Sequence, residues 1–78
     1  MTAASGADLN YEQAHLVKMI NQIAANVPDR HAVPEQVAAH VRNFWTPQMR
    51  VELEAIARDY PEALVPEVHT ALDSLRRH

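Results

Sequence analysis

Five histidines are the first candidates for chemistry, because imidazole binds metal ions and transfers protons near neutral pH. They are His15, His31, His40, His69 and His78. Two histidines on one helix converge on a metal ion when they lie three or four residues apart, and no pair here has that spacing. We therefore predict no metal site and expect these side chains at the surface or between helices.

Carboxylates and hydroxyls give no better case for catalysis. Glu52 and Glu54 are two residues apart, so they diverge on a helix and cannot form an acid–base pair. Neither Ser5 nor Ser74 has both a plausible base and an orienting group nearby in the sequence, so nucleophilic catalysis is not expected. We predict no catalytic residue and do not expect the chain to be an enzyme.

Composition narrows the classes of cofactor. Cysteine is absent, which excludes disulfides, iron–sulfur ligation and zinc sites built on thiolates. Glycine occurs once, at Gly6, so the glycine-rich loops that hold phosphates or dinucleotides are excluded too. The sequence predicts no cofactor held by this chain.

Charge and hydropathy point to a small cytoplasmic protein. Seven Lys and Arg against ten Asp and Glu give a formal net charge of −3. Proteins that bind DNA mainly through its phosphates usually carry a positive net charge. No apolar run approaches the roughly 18–20 residues of a membrane span, and the first residues do not resemble a signal peptide. We expect neither nucleic acid nor membrane as a partner.

The periodicity predicts one helical domain over residues 9–78, preceded by a disordered tail at 1–8. A first helix should run from about Asn10 to Asn26, with Asn10 as its cap and Gln13 completing a capping box. Prolines mark the starts of the others, over about 34–45, 47–60 and 66–77. Four short helices with no alternating strand pattern predict an all-α small bundle.

Two details of side-chain placement follow from the same periodicity. Val37, Val41 and Phe44 should form the buried face of the second helix. Glu54 and Arg58, four residues apart on the third helix, should form an ion pair.

The outer face of the first helix is a candidate docking surface. Lys18, Asn21 and Gln22 are expected to point away from the core. Asparagine is mildly unfavourable inside a helix, so Asn21 requires a reason, and contact with a partner would be one. A solvated surface is the alternative interpretation.

A second candidate surface surrounds the break between the second and third helices. Arg42, Trp45 and Arg50 lie close to it in sequence, and Trp and Arg are enriched in interface hot spots. The alternative is that Trp45 is a wedge that packs the corner between the two helices. The isolated chain also has Ala-rich outer faces, which leave room for self-association.

Three segments resemble the delta subunit of NAD-dependent formate dehydrogenase. Residues 16–25 (LVKMINQIAA) are similar to the family's LVKMANQIA signature, and residues 37–50 (VAAHVRNFWTPQMR) are similar to its VAxHIRxFWxPRMR segment. Residues 64–72 (LVPEVHTAL) resemble its LxPxVxxAL ending. The chain departs from these patterns at Ile20, where Ala is usual, and at Gln48, where a basic residue is common.

The resemblance implies an accessory subunit of a cytoplasmic formate dehydrogenase that uses molybdenum or tungsten. In that family the alpha subunit holds the molybdopterin cofactor and iron–sulfur clusters, and other subunits carry flavin and bind NAD. The delta subunit would dock on the catalytic alpha subunit and support assembly, cofactor maturation or stability. The six residues Lys18, Asn21, Gln22, Arg42, Trp45 and Arg50 are the expected partner contacts. A stand-alone helical regulatory or DNA-binding module is the alternative function.

Overall fold

The fold is an all-α bundle in a computed structural model that describes residues 9–77. Within that range four α-helices follow one another: α1 (Tyr11–Asn26), α2 (Val33–Phe44), α3 (Pro47–Asp59) and α4 (Pro66–Arg76). Short 3₁₀ turns precede α2 (Arg30–Ala32) and α4 (Pro61–Ala63). The predicted fold class is confirmed, and every predicted helix end lies within one residue of its observed position. The predicted tail at 1–8 lies outside the described residues.

Local caps fix the starts of α1 and α3. The Asn10 side chain accepts from the Gln13 backbone N–H at 2.7 Å, and Gln13 Oε1 accepts from the Asn10 N–H at 3.0 Å. Thr46 Oγ1 accepts from the Met49 N–H at 3.1 Å, with Pro47 in the first turn of α3. Each cap satisfies a donor that helix geometry leaves free, which stabilises the helix by about 1 kcal/mol.

An arginine closes the other end of α1. Arg30 Nη1 donates to the carbonyl oxygens of Ala24 in the last turn of α1 (3.2 Å) and of its C-cap Val27 (2.9 Å). A cation at this end also complements the helix dipole. These hydrogen bonds connect the start of the 3₁₀ turn that precedes α2 to the end of α1.

The core is apolar and lies between all four helices. Its most buried large side chains are Ile20, Val33, Val37, Val41, Leu53, Ile56 and Val68, and the most extensive helix pair is α2 with α4. No polar or charged residue between 9 and 77 is classed as buried.

One predicted core residue is wrong. Phe44 is 72% exposed, whereas its neighbour Trp45 is only 6% exposed and belongs to the core. The cause is the end of α2: Trp45 leaves helical geometry (φ −94°, ψ 139°), so helical periodicity no longer sets its direction. The chain turns there towards α3, and the indole takes the buried place that the helical pattern assigned to Phe44.

The predicted Glu54–Arg58 pair is also wrong. Glu54 Oε1 instead accepts from Arg76 of α4, at 2.6 Å from Nη2 and 2.9 Å from Nε, while Arg58 Nε donates to the adjacent Asp59 at 3.2 Å. The hydrogen bond with Glu54 is the main reason that the pKa of Arg76 is raised. Tertiary proximity of α3 and α4 thus overrides the sequence-local pairing.

None of the helices found between residues 9 and 77 is long and apolar enough to cross a membrane.

Candidate docking surface

The residues predicted to contact a partner occupy three different environments. Lys18 and Gln22, one turn apart on α1, are exposed. Arg42 on α2 is exposed and Arg50 on α3 is half-buried, and neither forms an ion pair within residues 9–77. These four side chains are accessible to another molecule.

Asn21 does not point outward, contrary to the prediction. Its Nδ2 donates to the Ala63 carbonyl at 2.9 Å, and its Oδ1 accepts from the Val65 N–H at 3.1 Å. The α3–α4 link (residues 60–65) therefore covers the side of α1 that carries Asn21, the residue after the fully buried Ile20. The amide satisfies two backbone groups of that link, which gives this asparagine a structural reason to lie inside a helix.

Trp45 packs the corner between α2 and α3, as in the alternative interpretation, and is not an exposed side chain that could anchor a partner. The indole is packed in the core, and its Nε1 donor has no hydrogen-bond partner among the described residues. Arg42, Trp45 and Arg50 consequently do not form one exposed patch. The prediction was wrong because residues that are close along the chain need not be exposed on the same surface.

A feature that the sequence did not reveal is a depression along one side of α1, which we call the α1 groove. Its first part, of about 480 Å³, lies between the first half of α1 and the start of α3. Its second part lies between the second half of α1 and α2, where two adjoining hollows of about 630 and 250 Å³ share Ile23, Val27 and Gln36. Met19 in the first part and Ile23 in the second are one helical turn apart, so both parts lie on the same side of α1.

The walls of the α1 groove carry exposed aromatic side chains. Tyr11 in the first part is 87% exposed and Phe44 in the second is 72% exposed. The ring of His40 lies beside Phe44, with centroids 5.0 Å apart and planes tilted by 38°. One sequence signal for this surface was the aromatic residue at position 44, which the helical pattern assigned to the core.

Charge around the α1 groove is one-sided. Glu12, Asp29 and Glu52 line it, and none of the three is in an ion pair within the described part of the chain. No lysine or arginine belongs to these linings, which all fall inside residues 9–77.

Of the histidines between residues 9 and 77, His15 and His31 are exposed, and His40 and His69 are half-buried. His69 Nε2 lies 2.8 Å from the Pro61 carbonyl, and His15 lines the α1 groove. No group of three metal-ligating side chains of His, Asp or Glu comes together within residues 9–77, and His78 is outside that range.

Comparison with protein families identifies one match. The model of the family described as NADH-dependent formate dehydrogenase delta subunit FdsD matches residues 15–72, which is most of the chain and includes all three segments singled out from the sequence. Searches of curated proteins and of solved structures gave no significant match. The matched range runs from the first part of the α1 groove to the buried face of α4, and the chain belongs to this family of formate dehydrogenase delta subunits.

Proposed function

We propose that this chain is a non-catalytic accessory subunit of a cytoplasmic, NAD-dependent formate dehydrogenase that uses molybdenum or tungsten. It docks on the catalytic alpha subunit and supports assembly, cofactor maturation or stability of the complex. The observation that carries this proposal is the family match over residues 15–72. The same match favours an accessory subunit over a stand-alone regulatory or DNA-binding module.

The accessible residues from the sequence prediction supply the polar contacts in this proposal. Lys18 and Gln22 would hydrogen-bond from α1, and Arg42 and Arg50 would pair with carboxylates of the partner. Asn21 and Trp45 would contribute indirectly, because their side chains hold the link and the corner on which the surface depends.

The function is tested by producing the formate dehydrogenase complex with and without this chain. We expect the chain to copurify with the alpha subunit. Without it, we expect the purified complex to contain less molybdenum or tungsten per alpha subunit, or to lose activity faster on storage. Metal analysis and formate-dependent NAD reduction measure the two effects.

Two results would contradict the proposal. One is a complex made without the chain that equals the complete one in metal content, activity and storage lifetime. The other is formate oxidation by the purified chain alone. Binding of the chain to duplex DNA at low salt, lost as salt is raised, would instead support the DNA-binding alternative.

The surface contacts are tested by pull-down of the alpha subunit with Lys18→Ala/Gln22→Ala and with Arg42→Ala/Arg50→Ala. Each removes accessible polar groups without removing a buried one. We expect weaker capture by both variants, with unchanged helical circular dichroism. Unchanged capture by folded variants would contradict the assignment of these four residues.

A further inference from the structure

We infer that the α1 groove receives an amphipathic helix of a partner subunit, and that lysines or arginines flank the apolar stripe of this helix. The inference rests on the proposed function, since it assumes that the chain docks in a complex. It assigns the main contact to a different surface from the four polar residues above.

The shape and lining of the groove suit a helix. Met19 and Ile23 are four residues apart on α1, and Val27 follows four residues later at its C-cap. All three are half-buried, with Met49 and Phe44 on the facing elements. A row with this spacing is the complement that the apolar stripe of a docking helix requires. The 16 residues of α1 are about 24 Å long, which is the length of four to five turns of a bound helix.

The side chains of the groove also have the character of an interface. Phe44 and Tyr11 are large apolar groups left in water, and burying them would be favourable. Met19 and Met49 have flexible, polarizable side chains that adapt to the shape of an incoming surface.

Charge decides which kind of helix fits. Glu12 and Glu52 lie in the first part of the groove and Asp29 in the second, and no ion pair within residues 9–77 neutralises them. A helix with basic flanks would pair with these carboxylates, whereas a helix with acidic flanks would be repelled. Lys18, Arg42 and Arg50, which form no ion pair in the described part of the chain, lie outside the groove linings and would not compete for these carboxylates.

A second copy of this chain is a poor occupant. The groove calls for apolar side chains flanked by cations. Among residues 9–77, the exposed large apolar side chain that lies next to a cation is Val51, beside Arg50 on α3. One valine does not make a stripe. A contact from this site to the groove of another copy would also be head-to-tail, which builds open chains unless rotation closes a ring.

The test measures binding of the full-length chain to the formate dehydrogenase complex purified without it. The groove variant is Glu12→Lys/Glu52→Lys, and its matched control is Glu35→Lys/Glu62→Lys. Both variants reverse two carboxylates that form no ion pair within residues 9–77, one of them in the first turn of an α-helix, but the control pair lies outside the groove. We expect the groove variant to bind at least about tenfold more weakly and the control to stay within about twofold of wild type.

An apolar pair of variants separates shape from charge. Phe44→Ala and Val51→Ala each remove one exposed apolar side chain, but only Phe44 lines the groove. We expect about tenfold weaker binding for the first and little change for the second. Circular dichroism checks that all four variants keep their helices.

A photo-cross-linking amino acid in place of Phe44 identifies the occupant. We expect a partner peptide with apolar residues three and four apart and with Lys or Arg beside them. A peptide without this pattern, a cross-link between two copies of the chain, or equal binding by groove and control variants would overturn the inference while leaving the proposed function intact. Failure of the wild-type chain to bind the complex would overturn both.

Discussion

The two sides of α1 differ in whether their polar side chains have partners within the fold. On the side of the α3–α4 link, the Asn21 amide satisfies two backbone groups and His69 contacts the Pro61 carbonyl. On the side of the α1 groove, Glu12 and Glu52 are in no ion pair within the described chain, and Phe44 is left in water. The polar groups on the first side have their partners within the fold, whereas the carboxylates and the Phe44 ring on the second side are accessible to another molecule. The proposed function requires both, because an accessory subunit that docks must be stable and must also bind.

The largest expected contrast is between two apolar truncations. Leu53→Ala empties a site that is 0% exposed, so we expect a loss of about 2–5 kcal/mol in the free energy of unfolding. Phe44→Ala removes a larger side chain from the groove but should change stability by no more than about 0.5 kcal/mol. Urea denaturation followed by circular dichroism measures both values. Comparable losses would show that Phe44 belongs to the folded core after all.

A smaller contrast separates two neighbouring amides of α1. Asn21→Ala leaves the Ala63 carbonyl and the Val65 N–H without their partner, and we expect it to destabilise the fold by about 1–3 kcal/mol. Gln22→Ala changes an exposed residue and should cost no more than about 0.5 kcal/mol. The same denaturation experiment compares them, and equal midpoints would contradict a structural role for Asn21.

The smallest contrast is between two glutamates of α3. Glu54→Gln removes the charge that pairs with Arg76, and for a pair this exposed we expect a loss of about 0.2–1 kcal/mol, decreasing as salt is added. Glu52→Gln neutralises an unpaired groove carboxylate and should leave stability unchanged or slightly raise it. Thermal melts at low and high salt distinguish the two, and the assignment fails if salt affects both variants alike.

The pH dependence of that pair has a definite sign. The pKa of Arg76 is raised in the folded state, chiefly by its hydrogen bond with Glu54. The stability that protonated Arg76 contributes is therefore fully present below the pKa that this arginine has in the unfolded chain. It is lost only when the pH rises through the higher pKa that Arg76 has in the folded chain. The difference in stability between wild type and Glu54→Gln should therefore be the same at pH 6 and at pH 9, which thermal melts of both proteins at several pH values can check.

Local patterns predicted the helices well. The Asn10–Gln13 box, the Thr46 cap and the prolines act within one turn, so the sequence carries their full signal. The predictions for Phe44 and Glu54 were wrong because local patterns do not determine tertiary packing. The direction of Trp45 depends on how the chain leaves α2, and the partner of Glu54 depends on how α3 and α4 pack.

The candidate site was less predictable than the fold for the same reason. Lys18 and Gln22 were placed correctly because helical periodicity determines exposure within a regular element. The direction of Asn21 depended on a link 42 residues away, and the α1 groove depends on how the start of α3 and the end of α2 lie against α1. No pattern within a single helix contains that information.

The hydrogen bonds of Asn21 also set an order of events during synthesis. They join this residue to positions 42 and 44 residues later, so α1 cannot acquire these partners until the ribosome has released the segment around Val65. A nascent chain that stops before this point has a first helix with one flank uncovered. Completion of the fold around α1 therefore waits for synthesis of the segment that contains Ala63 and Val65.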